Sequence, residues 1–182
     1  GLGDVYKRQH NPGGRVWTRE ELQKVAAICE RNKVIVVADE IHADLTFAPY
    51  THIPYATISE EAKMHSVVFA SASKAFNMAG FASSYAVISN PTLRRRFNSY
   101  VEGNELAAGN VFAFNTTVAA YNEGETWLSE MLDYVQENIQ FLTNYIAEHL
   151  PMLKVIVPQA SYLVFIDFSA LQLTQKELVA LC

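Results

Sequence analysis

Three short runs carry the residues able to do chemistry: HNPGG at 10–14, DEIH at 39–42 and SASK at 71–74. Lys74 offers a primary amine, which is a nucleophile only in its neutral form. Asp39 offers a carboxylate directly after the apolar run VIVVA, and Ser71 and Ser73 offer hydroxyls beside the lysine. Taken singly, each run has a plain structural explanation. Pro12 fixes φ while Gly13 and Gly14 permit positive φ, so HNPGG suffices as a turn. Asp39 could cap a helix, and SASK could be a polar loop around a solvated lysine. Asp39, Glu40, His42, Asp44 and His52 form an oxygen- and nitrogen-rich set, but they lack the spacing of a recognised zinc motif. The run Arg94, Arg95, Arg96 reads as a solvated helix face rather than an anion clamp.

These residues need elements to position them, and the hydrophobic pattern supplies them. Thr18 followed by Glu21 is a capping box, and Leu22, Val25, Ala26 and Cys29 recur at helical spacing, which predicts a helix over 18–32. The β-branched run 34–38 predicts a strand buried on both faces of a parallel sheet, with Asp39 and Glu40 at its carboxyl end. A short helix capped by Ser59 leads to a second buried strand over 66–70 (SVVFA), and residues 85–89 (YAVIS) supply a third. This order is α/β. Asn90 as N-cap with Pro91 at the first helical position opens a helix to about 101. A polar break over 103–110 is followed by helices over 111–121 and, past Gly124, over 125–149. Strands over 155–157 and 162–168, separated by Pro158, predict a hairpin-like α+β unit, and a further helix begins near 173. The chain therefore divides into a larger domain over 10–130 and the linking helix and beginning of a smaller one over 131–182. Residues 1–9 match neither a helical nor a strand period and read as a leader foreign to the remainder of the chain. The last helix runs to Cys182 without a C-cap signal, so a longer gene product is expected.

Composition bounds the setting. Of 182 residues half are apolar and 18% are charged, as in ordinary soluble globular proteins. A formal charge of −5 with scattered basic residues gives no footprint for nucleic acid or an anionic membrane. Two cysteines, Cys29 and Cys182, suggest neither a disulfide framework nor a thiolate zinc site, and a reducing cytoplasm fits best. No stretch approaches the roughly 20 apolar residues of a membrane span, and the N-terminus lacks the apolar core of a signal peptide. Small molecules are the expected partners.

The order of the runs is far more specific than any of them alone: HNPGG, a helix, a buried strand ending in DEIH, a second buried strand ending in SASK, then Ala79 and Gly80. This order resembles the fold-type I pyridoxal 5'-phosphate (PLP) enzymes, the aspartate aminotransferase superfamily, over nearly all the chain after residue 9. The resemblance implies a three-layer α/β/α large domain with a mostly parallel sheet, followed by a smaller α+β domain. It implies that Lys74 forms the Schiff base with PLP and later acts as the general base. Asp39 would pair with the pyridine nitrogen and keep it protonated, making the ring an electron sink. Asn11 would donate a hydrogen bond to the cofactor's phenolic oxygen, and Ser71 together with Ser73 would bind its phosphate. All of them belong to strand ends or adjoining loops, where open α/β sheets place their ligands.

Two departures from the superfamily pattern select a branch. The tyrosine usual three residues after the pyridine aspartate is His42 here, which could still reach the phenolic oxygen, and the phosphate-binding arginine usual eight residues after the lysine is Ala82. The phrases HNPGGRVW, ADEIHADL, SKAFNMAGFASSYAVI, EGETWL and PQASYLVFID resemble the cystathionine β-lyase, or MalY/PatB-type, C–S lyases, a branch that tolerates both changes. The implied reaction is α,β-elimination from an L-amino acid with sulfur on its β carbon, giving thiol, pyruvate and ammonia. An aminotransferase shares the first steps and differs in where the proton is returned. A non-catalytic regulatory or binding role on the same fold is the third reading. The resemblance also implies a homodimer, with the break at 103–110 as a candidate contact, and places the glycine-bearing phosphate loop, the stacking aromatic residue and the substrate-carboxylate arginine outside these residues. The polypeptide as it stands is therefore expected to be inactive and poorly folded.

Overall fold

The computed structural model describes residues 5–7, 13–106 and 109–181. Its principal sheet has four strands in spatial order β1 (Val5–Lys7), β2 (Val36–Asp39), β3 (Ser66–Ala70) and β4 (Tyr85–Val87). The first three are parallel and β4 runs antiparallel to β3. The connections between the parallel strands carry α1 (Arg19–Arg31) and α2 (Glu60–Met64). Strand β1 falls where the residue pattern gives no strand. Three residues are too few to show a period, and what defines them is main-chain pairing, with Val5 opposite Val37 and Lys7 opposite Asp39.

Helix α1 begins at the expected cap: Glu21 N donates to Thr18 Oγ1 at 3.3 Å, and Thr18 N donates to Glu21 Oε2 at 2.9 Å. Its end explains why β2 starts later than the apolar run. Lys33 takes a left-handed φ of 54°. Lys33 N then donates to Glu30 O at 3.0 Å and Val34 N to Cys29 O at 2.8 Å, a Schellman termination. Val34 and Ile35 are consumed in that turn and remain 44% and 46% exposed, so the ladder opens only at Val36, whose N donates to His65 O at 2.9 Å. The expected strand over 34–38 is thus shifted to Val36–Asp39.

The core lies on the helix-covered face of the sheet. Leu22 and Ala26 of α1, Ala62 of α2 and Tyr55 pack on Val36, Ala38 and Val68. Leu22 is fully buried, and removing its side chain from water is worth roughly 2 kcal/mol. Strand β3 occupies the expected residues, with Ser66, Val67 and Val68 all buried as befits a strand covered on both faces.

Asn90 caps α3 (Pro91–Gly103) by accepting from Thr92 N and Leu93 N at 2.9 and 3.1 Å, while its Nδ2 donates to Met64 O at 3.1 Å. Arg94 turns back to the carbonyls of Ile88 and Ser89 at 2.8 and 3.3 Å, so one arginine of the basic run secures the end of β4. Helix α4 (Ala113–Glu123) meets α5 (Glu125–His149) at Gly124. Beyond α5, β5 (Lys154–Ile156) and β6 (Phe165–Asp167) form an antiparallel pair before α6 (Gln175–Leu181). No helix among the described residues is long and apolar enough to cross a membrane.

Candidate functional site

The parallel register of β2 and β3 sets Asp39 opposite Phe69. The two strands therefore end level, and Asp39 emerges at the same sheet edge as the turn over 71–74. Asp39 is half-buried, and its Oδ1 accepts from Ile41 N at 3.2 Å. Lys74 is half-buried as well. Among the described residues its amine has no hydrogen bond or ion pair, and Asp39 has none beyond the Ile41 contact. Opposite charges at one edge thus remain unpaired with each other.

Packing fixes the lysine turn from beneath. Ala72 and Ala75 on either side of Lys74 are buried. Phe76 N donates to Ala72 O at 3.0 Å and Met78 N to Ser73 O at 2.9 Å. The Phe76 ring stacks on Trp127 with centroids 6.0 Å apart and meets Tyr121 edge-on at 5.6 Å. Gly124 allows this approach, because a Cβ there would lie 2.6 Å from the Phe76 ring and 2.4 Å from Ala120 O. The buried Ser71 hydroxyl donates to the carbonyl of Ser83 and accepts from Ser73 N at 3.0 Å. It can donate to a phosphate only by rotating away from Ser83. The Ser73 hydroxyl has no partner among the described residues. Ala82, at the position where the superfamily pattern has arginine, ends the turn 79–81 in a left-handed conformation with φ 49°.

Glu40 has a structural role that its spacing did not reveal. It is buried beside the strand end, where Oε1 accepts from Tyr55 N at 2.8 Å and Oε2 lies 2.9 Å from His52 Nε2. Asp39 and Glu40 thus divide the labour, one at the half-buried edge and the other stitching β2 to residues 52–55. Burial raises the Asp44 carboxyl above the ordinary aspartate range, although Tyr121 donates to its Oδ2 at 3.3 Å and opposes the shift. The Tyr121 phenol is pushed far above its usual range, first by burial and then by its contacts with Tyr85 and Asp44. No group of three or more His, Cys, Asp or Glu able to hold a metal ion occurs among the described residues.

His10, Asn11 and Pro12 lie outside the described residues, whereas Gly14 shows what the end of the HNPGG run packs against. Gly14 takes φ +64°, and a Cβ there would fall 2.3 Å from Pro158 Cβ and 2.7 Å from Ala160 O. Its carbonyl accepts from Gln159 N at 2.8 Å and Ala160 N at 3.0 Å. The run PQAS at 158–161 therefore crosses directly over the turn. It also pairs with the segment after DEIH, through Phe47 N to Gln159 O at 3.0 Å, Ser161 N to Leu45 O at 2.8 Å and a bridge between Thr46 and Ala160. His42 is buried against this run, with Nδ1 3.4 Å from Ser161 Oγ and its ring 5.9 Å from that of Tyr162. Gln159 and Ser161 gave no sign of this role in local spacing, because the contacts span more than a hundred residues.

The donor set suits PLP in two respects. A carboxylate at the end of β2 and an amine in the turn after β3, neither neutralising the other, are free to engage two different parts of one molecule. Anion donors beside the amine are the Ser73 hydroxyl and, after rotation, that of Ser71, with no cationic side chain at position 82.

A family model described as aminotransferase class I and II matches residues 7–181. Cystathionine beta-lyase PatB of Bacillus subtilis is 39% identical over 169 residues, which cover 93% of this chain and 44% of that protein. Among solved structures, the PLP-bound C-S lyase from Staphylococcus hominis superposes with a TM-score of 0.83 at 34% identity, covering 91% of this chain and 41% of that one. Cystalysin from Treponema denticola, whose structure contains a pyridoxal 5'-phosphate cofactor, gives a TM-score of 0.91 at 29% identity, covering 97% and 45%. The chain spans less than half the length of each of these relatives.

Proposed function

Since the chain belongs to the class I and II aminotransferase family, we propose that its protein is a PLP-dependent C–S β-lyase that cleaves an L-amino acid carrying sulfur on Cβ. The observation that carries this reading is the placement of Asp39 at the carboxyl end of β2 and of Lys74 in the turn that follows the adjacent parallel strand β3, each left without a charged partner among the described residues.

When bound, the cofactor supplies an electron sink that stabilises the charge left on a substrate Cα after its proton is removed. The protein's own groups do the rest. Lys74 Nζ would hold the cofactor through its aldehyde carbon, and its neutral amine would serve as the base for the Cα proton. The Asp39 carboxylate keeps the ring nitrogen protonated, and its half-buried position at the strand end strengthens that interaction relative to bulk water. Ser73, Ser71 and main-chain amides of the lysine turn hold the phosphate, while Asn11 and His42 act at the phenolic oxygen. The buried Ala72 and Ala75 and the Phe76 ring packed on Trp127 and Tyr121 keep the lysine turn from drifting, so the amine stays in reach of its proton. The net reaction consumes water and releases a thiol, pyruvate and ammonia. The 39% identity to a cystathionine beta-lyase and the 34% identity to a C-S lyase structure support elimination over amino transfer.

The enzyme is read as a cytoplasmic homodimer. Tyr100, Leu106, Val111, Phe112 and Phe114 flank the break at 103–110 and are each at least 64% exposed, an apolar set suited to cover by another polypeptide surface. Full-length protein incubated with L-cystathionine tests the activity. Thiol and pyruvate in equal amounts are expected. Amino-group transfer to a keto acid without thiol release would favour the aminotransferase reading, and neither product would favour a non-catalytic role.

A further inference from the structure

His42 is held by two consecutive residues, Ser161 through its hydroxyl and Tyr162 through its ring. In extended backbone, consecutive side chains point to opposite faces, so neighbours cannot ordinarily reach one imidazole. The chain meets this requirement with an unusual conformation: Ser161 has φ +73°, a region that non-glycine residues rarely adopt. Ser161 is also 2% exposed and His42 7% exposed, which places two polar groups of the pair away from water. The surrounding main chain over-determines the conformation. Gln159 N and Ala160 N donate to Gly14 O, Ser161 N donates to Leu45 O, and Gln159 Oε1 accepts from Val16 N at 2.8 Å. Strain held by such a frame at a buried polar contact marks a functional constraint.

We propose that Ser161 is a positioning residue for His42: its hydroxyl donates to Nδ1, keeps the ring proton on Nε2, and fixes the imidazole's rotation at the strand end that carries Asp39. A hydrogen bond at one ring nitrogen sets which tautomer the other presents. The run 158–162 would thereby contribute to the site although no hydrogen bond or ion pair joins it to Asp39 or Lys74 among the described residues. This inference rests on the reading of the Asp39 and Lys74 edge as the cofactor site.

The test uses full-length protein loaded with PLP and follows the pH midpoint of its visible absorbance band, in parallel with thermal unfolding. Ser161→Ala removes the hydroxyl and keeps the φ strain, whereas Ser161→Gly removes both. A merely structural serine therefore leaves the midpoint in place in Ser161→Ala and in Ser161→Gly, and moves only their unfolding temperatures. A positioning serine gives the same spectroscopic shift in both. The expected result is an upward move of the midpoint by about half a unit, roughly threefold in proton affinity, because a donor at the phenolic oxygen is misdirected and the titrating proton is held more tightly. Ser161→Gly should show this while unfolding at the same or higher temperature than wild type. Combining Ser161→Ala with His42→Ala should shift the midpoint no further than His42→Ala alone, since the effect passes through the imidazole. An unchanged midpoint in Ser161→Ala, recovery in Ser161→Gly, or full additivity with His42→Ala would overturn the assignment. A visible band that survives Lys74→Ala would instead sink the cofactor-site reading, and the role of Ser161 with it.

Discussion

Replacing Gly14 with alanine should destabilise the protein by roughly 2–5 kcal/mol, and the structure separates the sources of that loss. At φ +64° a Cβ meets the left-handed penalty of about 1–2 kcal/mol. Independently, it would fall 2.3 Å from Pro158 Cβ and 2.7 Å from Ala160 O. Neither is the mobile tip of a long side chain, so the crossing run must shift, at an overpacking cost of about 1–3 kcal/mol. In a domain of about 150–250 residues the sum lowers the unfolding midpoint by on the order of 5–15 °C, measured by circular dichroism with heating. Gly80 is the control, because an added Cβ there meets nothing within 4 Å, and Gly80→Ala should stay near wild type. Adding Pro158→Gly to Gly14→Ala should recover only the share of the overpacking that comes from Pro158 Cβ, leaving the contact with Ala160 O and the φ part. If Gly14→Ala unfolds with the wild type, or if Gly80→Ala is equally harmful, the crossing of 158–161 over the HNPGG turn does not constrain position 14.

The buried Glu40 and His52 contact gives a second expectation: Glu40→Ala should cost about 1–3 kcal/mol by urea unfolding, since it removes the carboxylate that accepts from the Tyr55 N–H and meets His52. Glu40→Gln keeps an acceptor for Tyr55 and should lose less. Asp44 provides a pH signature. Its carboxyl is raised by burial, so the folded protein binds a proton that the unfolded chain releases, and this group's contribution to stability falls as pH rises from the ordinary aspartate range through the raised value. Asp44→Asn should remove that decline, matching wild type below the window and exceeding it above, in unfolding curves collected from acid to neutral pH. Asn90→Ala removes the α3 cap and the tie to Met64 O, and should cost about 1 kcal/mol in urea unfolding.

Much of the fold is legible in the sequence where local chemistry decides it. Thr18 with Glu21, Ser59, and Asn90 with Pro91 all cap the helices their spacing announces, because capping is a matter of three or four adjacent residues. The β-branched run at 66–70 and the break at Gly124 behave likewise. What escapes local reading depends on partners far along the chain. Val34 and Ile35 look like strand and serve to end α1, and Val5–Lys7 shows no period yet pairs with β2. The same holds at the site. Asp39 is visible as a strand-end residue and Lys74 as part of the loop after the next strand, whereas the stitching by Glu40 and the crossing of Gln159 and Ser161 over Gly14 become apparent only in three dimensions.

The proposed activity stands on two groups: the amine of Lys74 captures the cofactor while the Asp39 carboxylate holds the far side of the same ring. Borohydride reduction of the PLP-loaded full-length protein, followed by digestion and mass spectrometry, tests this most directly. A single reduced pyridoxyl adduct is expected on the peptide containing Lys74, absent from Lys74→Ala. An adduct on Lys24, Lys33, Lys63 or any other lysine, or protein that binds no cofactor, would contradict it.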